Sequence, residues 1–201
     1  EISDSVGLGI RVIKDGHPGY AHTERLTKDA LGQTLKDALC HTQWTEKIDI
    51  ELPSATQIPT DEPNYDPSLE SLDLAQMRDF CIQLEKETFA KCNEIVNIPY
   101  LGGDIESSLS IVANHTGLMY SAKSNSVSAG VGAVAARGET KKLGHFVKNG
   151  RRWDEFDVNE IAKKAAGYAV ELFGAKKIDG GVVPVVFSER ISSRLVGMYT
   201  Q

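Results

Sequence analysis

The most constraining feature of the chain lies near its start. Val6, Leu8, Ile10 and Val12 alternate with Gly7, Gly9, Arg11 and Ile13, and the run ends in Asp15-Gly16. A period of two sends successive side chains to opposite faces, so the run reads as a strand. Asp-Gly then signals a hairpin, because glycine takes positive φ without steric cost. Tyr20-Ala21-His22-Thr23 is the expected return strand. His17-Pro18-Gly19 complicates the turn, which predicts a bulge or a loop longer than two residues. The same glycines raise a rival reading, a phosphate-cradling loop. Gly7 and Gly9 supply GxG, but Val12 holds the third fingerprint position and no helix opens there, so the dinucleotide pattern fails. No GK[ST] ending for a P-loop is present.

Beyond the hairpin, Thr27 is placed to cap a helix with Ala30, Leu31, Thr34, Leu35, Ala38 and Leu39 at helical spacing. Residues 51–70 hold Pro53, Pro59, Pro63 and Pro67 among few apolar anchors, as a connector does. Leu72 to Cys92 reads as a long helix with Leu74, Met77, Cys81, Leu84 and Thr88 on one face. From Asp104 to about Trp153 the strand-like runs follow one another, with turns expected at Asn114-His115-Thr116-Gly117 and at Asn149-Gly150. Asp157-Val158-Asn159-Glu160 has capping-box spacing and opens a helix that ends at Gly174. Val182–Phe187 is an expected strand whose Pro184 places it at an edge or near the strand start. Ser188 then caps a last helix with Ile191, Leu195 and Val196 inward. The fold class is α+β, an antiparallel sheet or meander with flanking amphipathic helices. Its expected parts are a hairpin plus helix over 1–50, a connector over 51–70, and the meander with its helices and a strand over 71–201.

At 201 residues the chain can bury a real core. It begins at Glu1 without a methionine and runs to Gln201 while still reading as helix, so a fragment of a longer polypeptide is expected. No apolar run approaches the ~18 residues that cross a bilayer, and nothing at the start reads as a secretory signal. Three cysteines (Cys40, Cys81, Cys92) in no framework spacing suggest a reducing, cytoplasmic compartment, with Cys81 a buried thiol on a helix face.

The net charge of −6 is uneven: residues 46–87 carry 11 acidic and 3 basic side chains, residues 137–194 carry 8 and 12. The basic residues are interleaved with Asp154, Glu155, Asp157 and Glu160 and form no phosphate-neutralising stripe, so direct nucleic-acid binding is not expected. His17, His22, His41, His115 and His145 make no HExxH, and Cys40-His41 are adjacent and poor co-ligands. No GxSxG elbow or other nucleophile motif occurs. Asn114-His115-Thr116 fits a glycosylation sequon but reads as a turn, and Asp61-Glu62 and Asp154-Glu155 read as solvated loop charges. Arg151 and Arg152 beside Trp153 have the chemistry to grip a peptide carboxylate or stack on an aromatic, although surface decoration is the ordinary reading of such a pair. On spacing alone there are no catalytic, metal-ligating or cofactor-binding residues.

Several stretches taken in order resemble the TldD/PmbA family, in which PmbA is also called TldE. GLGIRVIKDGHPGYAHT carries Gly7, Gly9, Arg11, Gly16, Gly19, Tyr20 and Thr23 at positions of the family's opening hairpin. NHTG, with Asn114 and Gly117, is similar to a turn between its strands, and the block from FDVNE to PVVFSER, with Pro184, resembles its helix-then-strand segment. The PVVFSER phrasing looks more like the PmbA/TldE branch, and the TldD branch stays open. The resemblance implies a non-catalytic part of a cytoplasmic metalloprotease complex that helps enclose and bind unfolded peptides. Zinc is then expected only in a TldD-type partner, and the chain assembles with a TldD-like subunit or with itself, touching neither nucleic acid nor membrane. The alternative is a regulatory module that modulates DNA gyrase or a toxin–antitoxin partner without peptidase activity.

Overall fold

The structure is a computed structural model that describes residues 2–50, 52, 53 and 64–200. Pro59, Pro63 and the Asp61-Glu62 pair lie outside the described residues. The chain groups into two compact units, residues 1–61 with 109–122, and residues 62–108 with 123–201. Among the described residues no helix is long and apolar enough to cross a membrane.

In the first unit, β1 (Leu8–Lys14) and β2 (His17–Thr23) form the antiparallel hairpin. Lys14 faces His17, so Asp15-Gly16 alone makes the turn, with φ of 54° and 86°. Two positive φ values define the I′ geometry that suits the strand twist. The expected bulge is therefore absent. Pro18 sits opposite Ile13, next to the turn-flanking pair. Pairs alternate between bonded and non-bonded, so the missing proline N–H falls where the ladder needs no donor. The Thr45 hydroxyl donates to the Pro18 carbonyl at 2.7 Å, His17 Nδ1 meets the Thr45 carbonyl at 2.7 Å, and the Ile48 amide donates to the Gly16 carbonyl at 2.9 Å. These bonds tie the segment after the helix back onto the hairpin.

Helix α1 (Lys28–His41) starts at Thr27, whose hydroxyl accepts from the Ala30 amide. It lies directly on β2: a Cβ added to Gly19 would sit 2.0 Å from the Ala38 carbonyl oxygen. Only glycine lets the helix come this close.

The second unit is built on β3 (Ile95–Ala113), β4 (Met119–Arg137) and β5 (Thr140–Gly150), ordered β3-β4-β5; the distal hairpin residues 109–122 group with the first unit. The meander thus starts nine residues before the expected Asp104. The β4–β5 turn is Gly138-Glu139, with Gly138 at φ 58°, the first central position where a II′ turn needs positive φ. Asn149-Gly150 is not a turn. Both residues sit in the ladder opposite Ser128 and Val127, and neither has positive φ.

Odd-numbered residues of β4 from Val127 to Ala135 are at most 2 % exposed and join one core with Met77 and Leu84 of α2 (Leu74–Lys91) and Ile161, Ala165 and Ala169 of α3 (Val158–Glu171). Helix α2 begins with a complete capping box, Asp73 with Gln76. At α3, by contrast, Asp157 accepts from the Asn159 amide and Glu160 does not close the expected box. Its carboxylate is taken by two lysines instead. Small residues line both sides of the α3 contact, and a Cβ on Gly144 of β5 would lie 2.2 Å from the Ala169 nitrogen.

Past α3, Val182–Phe187 belongs to no sheet, so the expected strand does not form among the described residues. Val182 and Val186 are almost fully exposed. Helix α4 (Glu189–Gly197) follows with Ser188 at its N-cap, making no side-chain capping bond, and Ile191, Leu195 and Val196 face solvent rather than inward.

Because Gly144 is overlain by helix backbone, Gly144→Val is expected to cost about 3 kcal/mol or to unfold the unit. Gly167, in α3 with nothing within 4 Å of its Cβ position, behaves oppositely: Gly167→Ala should stabilise by about 1 kcal/mol. Urea denaturation of both variants measures this, and equal effects would contradict the packing described.

Candidate functional site

The sheet of the second unit has two unlike faces. One is covered by α2 and α3. The other carries even-numbered residues of β4 and odd-numbered residues of β5, which share a side because Gly132 pairs with His145 and Gly130 with Val147. Here a groove of about 820 Å³ runs over Gly102, Gly130 and Gly132, walled by Tyr100, Leu143 and Val147. Tyr100 is 66 % exposed and its ring lies against Gly132. Asp104, Ser128 and His145 supply the polar lining. The β4 glycines let Tyr100 and Val147 lie flat on the sheet, Gly102 leaves an open gap beside them, and the aromatic and aliphatic rim stays in water. Strands β3 and β5 are the two edges of the sheet, both bordering the groove, with no further strand beside either among the described residues.

On the covered face, Glu160 of α3 accepts from Lys148 Nζ of β5 and Lys164 Nζ, each at 2.8 Å. The two ammonium groups pull its carboxyl down to about 2, and partial burial opposes them only weakly. Arg137 makes a two-pronged pair with Glu94, which lowers the Glu94 pKa, and its guanidinium lies over the Phe173 ring. Buried Asn125 exchanges two bonds with the Asp66 backbone, at 2.9 and 2.7 Å, while its own amide donates to the Asn64 carbonyl. Burial pushes the Cys81 thiol up, so it is a poor nucleophile. These contacts fasten elements together.

Arg152 is held by Asp154, at 3.1 and 2.6 Å. The Trp153 ring packs between Phe80 and Phe156, with centroids 4.7 and 5.1 Å away. Arg151 is exposed and makes no ion pair among the described residues. The three are therefore not brought together as one grip.

The hairpin residues have structural surroundings. Tyr20 covers Gly9 and stacks on His22, Arg11 stands opposite Tyr20, the Cβ position of Gly7 is in ordinary contact with the Thr23 carbonyl, and the Thr23 hydroxyl accepts from the Arg25 amide. Asn114 Oδ1 accepts from the Thr116 and Leu118 amides, its Nδ2 donates to the Pro53 carbonyl, and Gly117 has φ 93°. Pro184 lies in the unpaired segment. The groove and the Asn125 clasp were not foreseen; the only sequence signal was the run of glycines at every second position in SAGVG, which predicts a bare stripe on one face.

Comparison with known proteins bears on this two-unit α+β arrangement. Residues 67–173 match the PmbA/TldA metallopeptidase central domain and residues 1–39 match PmbA/TldA metallopeptidase domain 1. The chain belongs to the PmbA/TldD metallopeptidase family.

Among solved structures it is similar to a Thermotoga maritima MSB8 protein provisionally named a modulator of a DNA gyrase, at 23% identity and a TM-score of 0.74 over 88% of this chain and 40% of that one. A Bacteroides thetaiotaomicron VPI-5482 protein with the same provisional name gives 18% and 0.75, over 86% and 40%. TldE from Thermococcus kodakarensis gives 16% and 0.68, over 78% and 36%. At these identities the likeness is one of fold, and the chain spans about two fifths of their length. No curated protein matches it. The metal that the family name implies finds no ligand set here: among the described residues no three His, Cys, Asp or Glu side chains come together to hold an ion.

The Glu160 cluster makes a pH prediction. Its folded pKa lies below the usual 4.5, so its contribution is present above that value and is lost as pH falls towards about 2. Glu160→Gln should lower the melting temperature at neutral pH, and the gap to the parent protein should close over that acid range. A gap independent of pH would show that the pairing does not stabilise the fold.

Proposed function

We propose that this chain is a non-catalytic, substrate-holding part of a PmbA/TldD-type peptidase assembly. Its partner is a TldD-like subunit or a second copy, and zinc is supplied only by a TldD-type partner. The observation that carries the reading is the free edge of β3 beside an uncovered, glycine-floored face. An extended polypeptide can add to such an edge through main-chain hydrogen bonds, which accept many sequences. Family membership supports the peptidase setting, and the absence of a clean basic stripe favours polypeptide over nucleic acid as the thing held. Arg151 remains available at the surface to meet a peptide carboxylate.

A second reading is a binding module that acts on DNA gyrase or a toxin–antitoxin partner with no proteolysis; the names of two solved neighbours support its gyrase part alone. The two readings separate in one experiment. Under the first, the chain co-purifies with a zinc-bearing TldD homologue, and the pair cleaves an unfolded polypeptide that neither cleaves alone. Gyrase capture by the chain alone, with no cleavage by the pair, would favour the second.

Strand addition also predicts a local signature. Titration with a chemically unfolded polypeptide should slow amide hydrogen exchange along β3 residues 95–108 and leave α1 unchanged. Uniform or absent protection would rule out edge pairing at β3.

A further inference from the structure

Resting on the proposed role of this sheet in holding polypeptide, we infer that the glycine-floored groove reads side chains. It takes a bulky apolar residue together with a basic residue two positions along an extended peptide. Gly102 leaves an open gap on the face, while the Tyr100 ring covers Gly132 and the Val147 side chain covers Gly130, so that both present exposed apolar surface beside the gap. Its 820 Å³ lies within the range of pockets that bury a ligand, roughly 300–1,000 Å³. An aromatic or branched side chain seated there removes this rim from water and meets Tyr100 edge-on or face-on.

Charge selects the second residue. Asp104 lines the groove two residues beyond Gly102, about 6.7 Å along the strand. It is exposed and forms no ion pair among the described residues, and Glu106 repeats the negative charge further along β3. An extended peptide has the same two-residue repeat, so one side chain over the glycines brings the next on that face over Asp104. A lysine or arginine is complementary there, and an acidic residue is repelled. The occupant is thus an extended segment of the pattern apolar-x-basic.

Gly102 makes the idea testable without damaging the fold. A Cβ at Gly102 meets nothing within 4 Å, and a β-branched residue suits a strand better than glycine does. Gly102→Val should fill the groove while keeping or raising the melting temperature. The probes are labelled pentapeptides Ser-Phe-Ser-Lys-Ser, Ser-Ala-Ser-Lys-Ser and Ser-Phe-Ser-Glu-Ser, read by fluorescence anisotropy on the full chain.

The first peptide should bind about tenfold or more tightly than the second. It should exceed the third by about two- to fivefold, a preference that fades with salt. Gly102→Val should abolish the first difference and Asp104→Lys should reverse the second. Equal binding of all three peptides, or a Gly102→Val protein that binds like the parent, overturns the inference. If β3 amides are still protected by unfolded polypeptide in that case, strand addition stands and only the groove's selectivity fails. If neither peptide nor unfolded polypeptide touches the parent protein, both fail together.

Discussion

Both units depend on one kind of contact, a helix laid on a strand with no side chain between them. Gly19 lies under the Ala38 carbonyl of α1, and Gly144 lies under the Ala165–Ala169 backbone of α3. At such separations a single Cβ would overlap main-chain atoms that cannot rotate away, unlike the end of a flexible side chain. The alanines of β4 and α3 belong to the same solution. Their small side chains let sheet and helix approach until dispersion contacts are made backbone to backbone. The unit gains density rather than large apolar bulk; of its fully buried side chains only Leu84, Ile161, Val127 and Thr88 are sizeable. Ion pairs then fix the register of what packing brings together. Lys148, Glu160 and Lys164 clasp β5 to α3, and Arg137 with Glu94 clasps the end of β4 to the start of β3.

The local features were the most legible. Asp15-Gly16 makes the turn its dipeptide announces, Thr27 caps α1, and Asn114 to Gly117 closes the long hairpin. Tertiary context decided the cases where local signals competed. Asn149-Gly150 has turn chemistry, but pairing with Val127 and Ser128 keeps it extended, and Gly138-Glu139 turns the chain instead. Glu160 has capping-box spacing, yet two lysines offer it more than a backbone amide does. Pro18 reads as a strand breaker until its register shows that it occupies a position with no ladder donor.

The groove was hard to foresee because it has no sequence neighbourhood. Its floor and walls come from three strands, with Gly102 and Gly130 separated by most of a hairpin. Only the alternation of glycines in β4 hinted at a bare face. The cluster that did stand out in sequence, Arg151-Arg152-Trp153, is divided by the structure between a surface ion pair and the edge of the core. Conspicuous residue types marked packing and ion pairs here, and inconspicuous ones marked the uncovered face.

The unpaired run Val182–Phe187 carries a hazard of its own. A β-branched, aromatic-ended segment this exposed is the kind that stacks into cross-β aggregates when chains meet. Pro184 sits in its middle and has no amide proton. Copies stacked in register would lack one rung of hydrogen bonds at every level, and the flanking residues could not pair continuously across the gap. A residue that looks like a defect in a strand therefore acts as a gatekeeper against indiscriminate growth of the exposed segment.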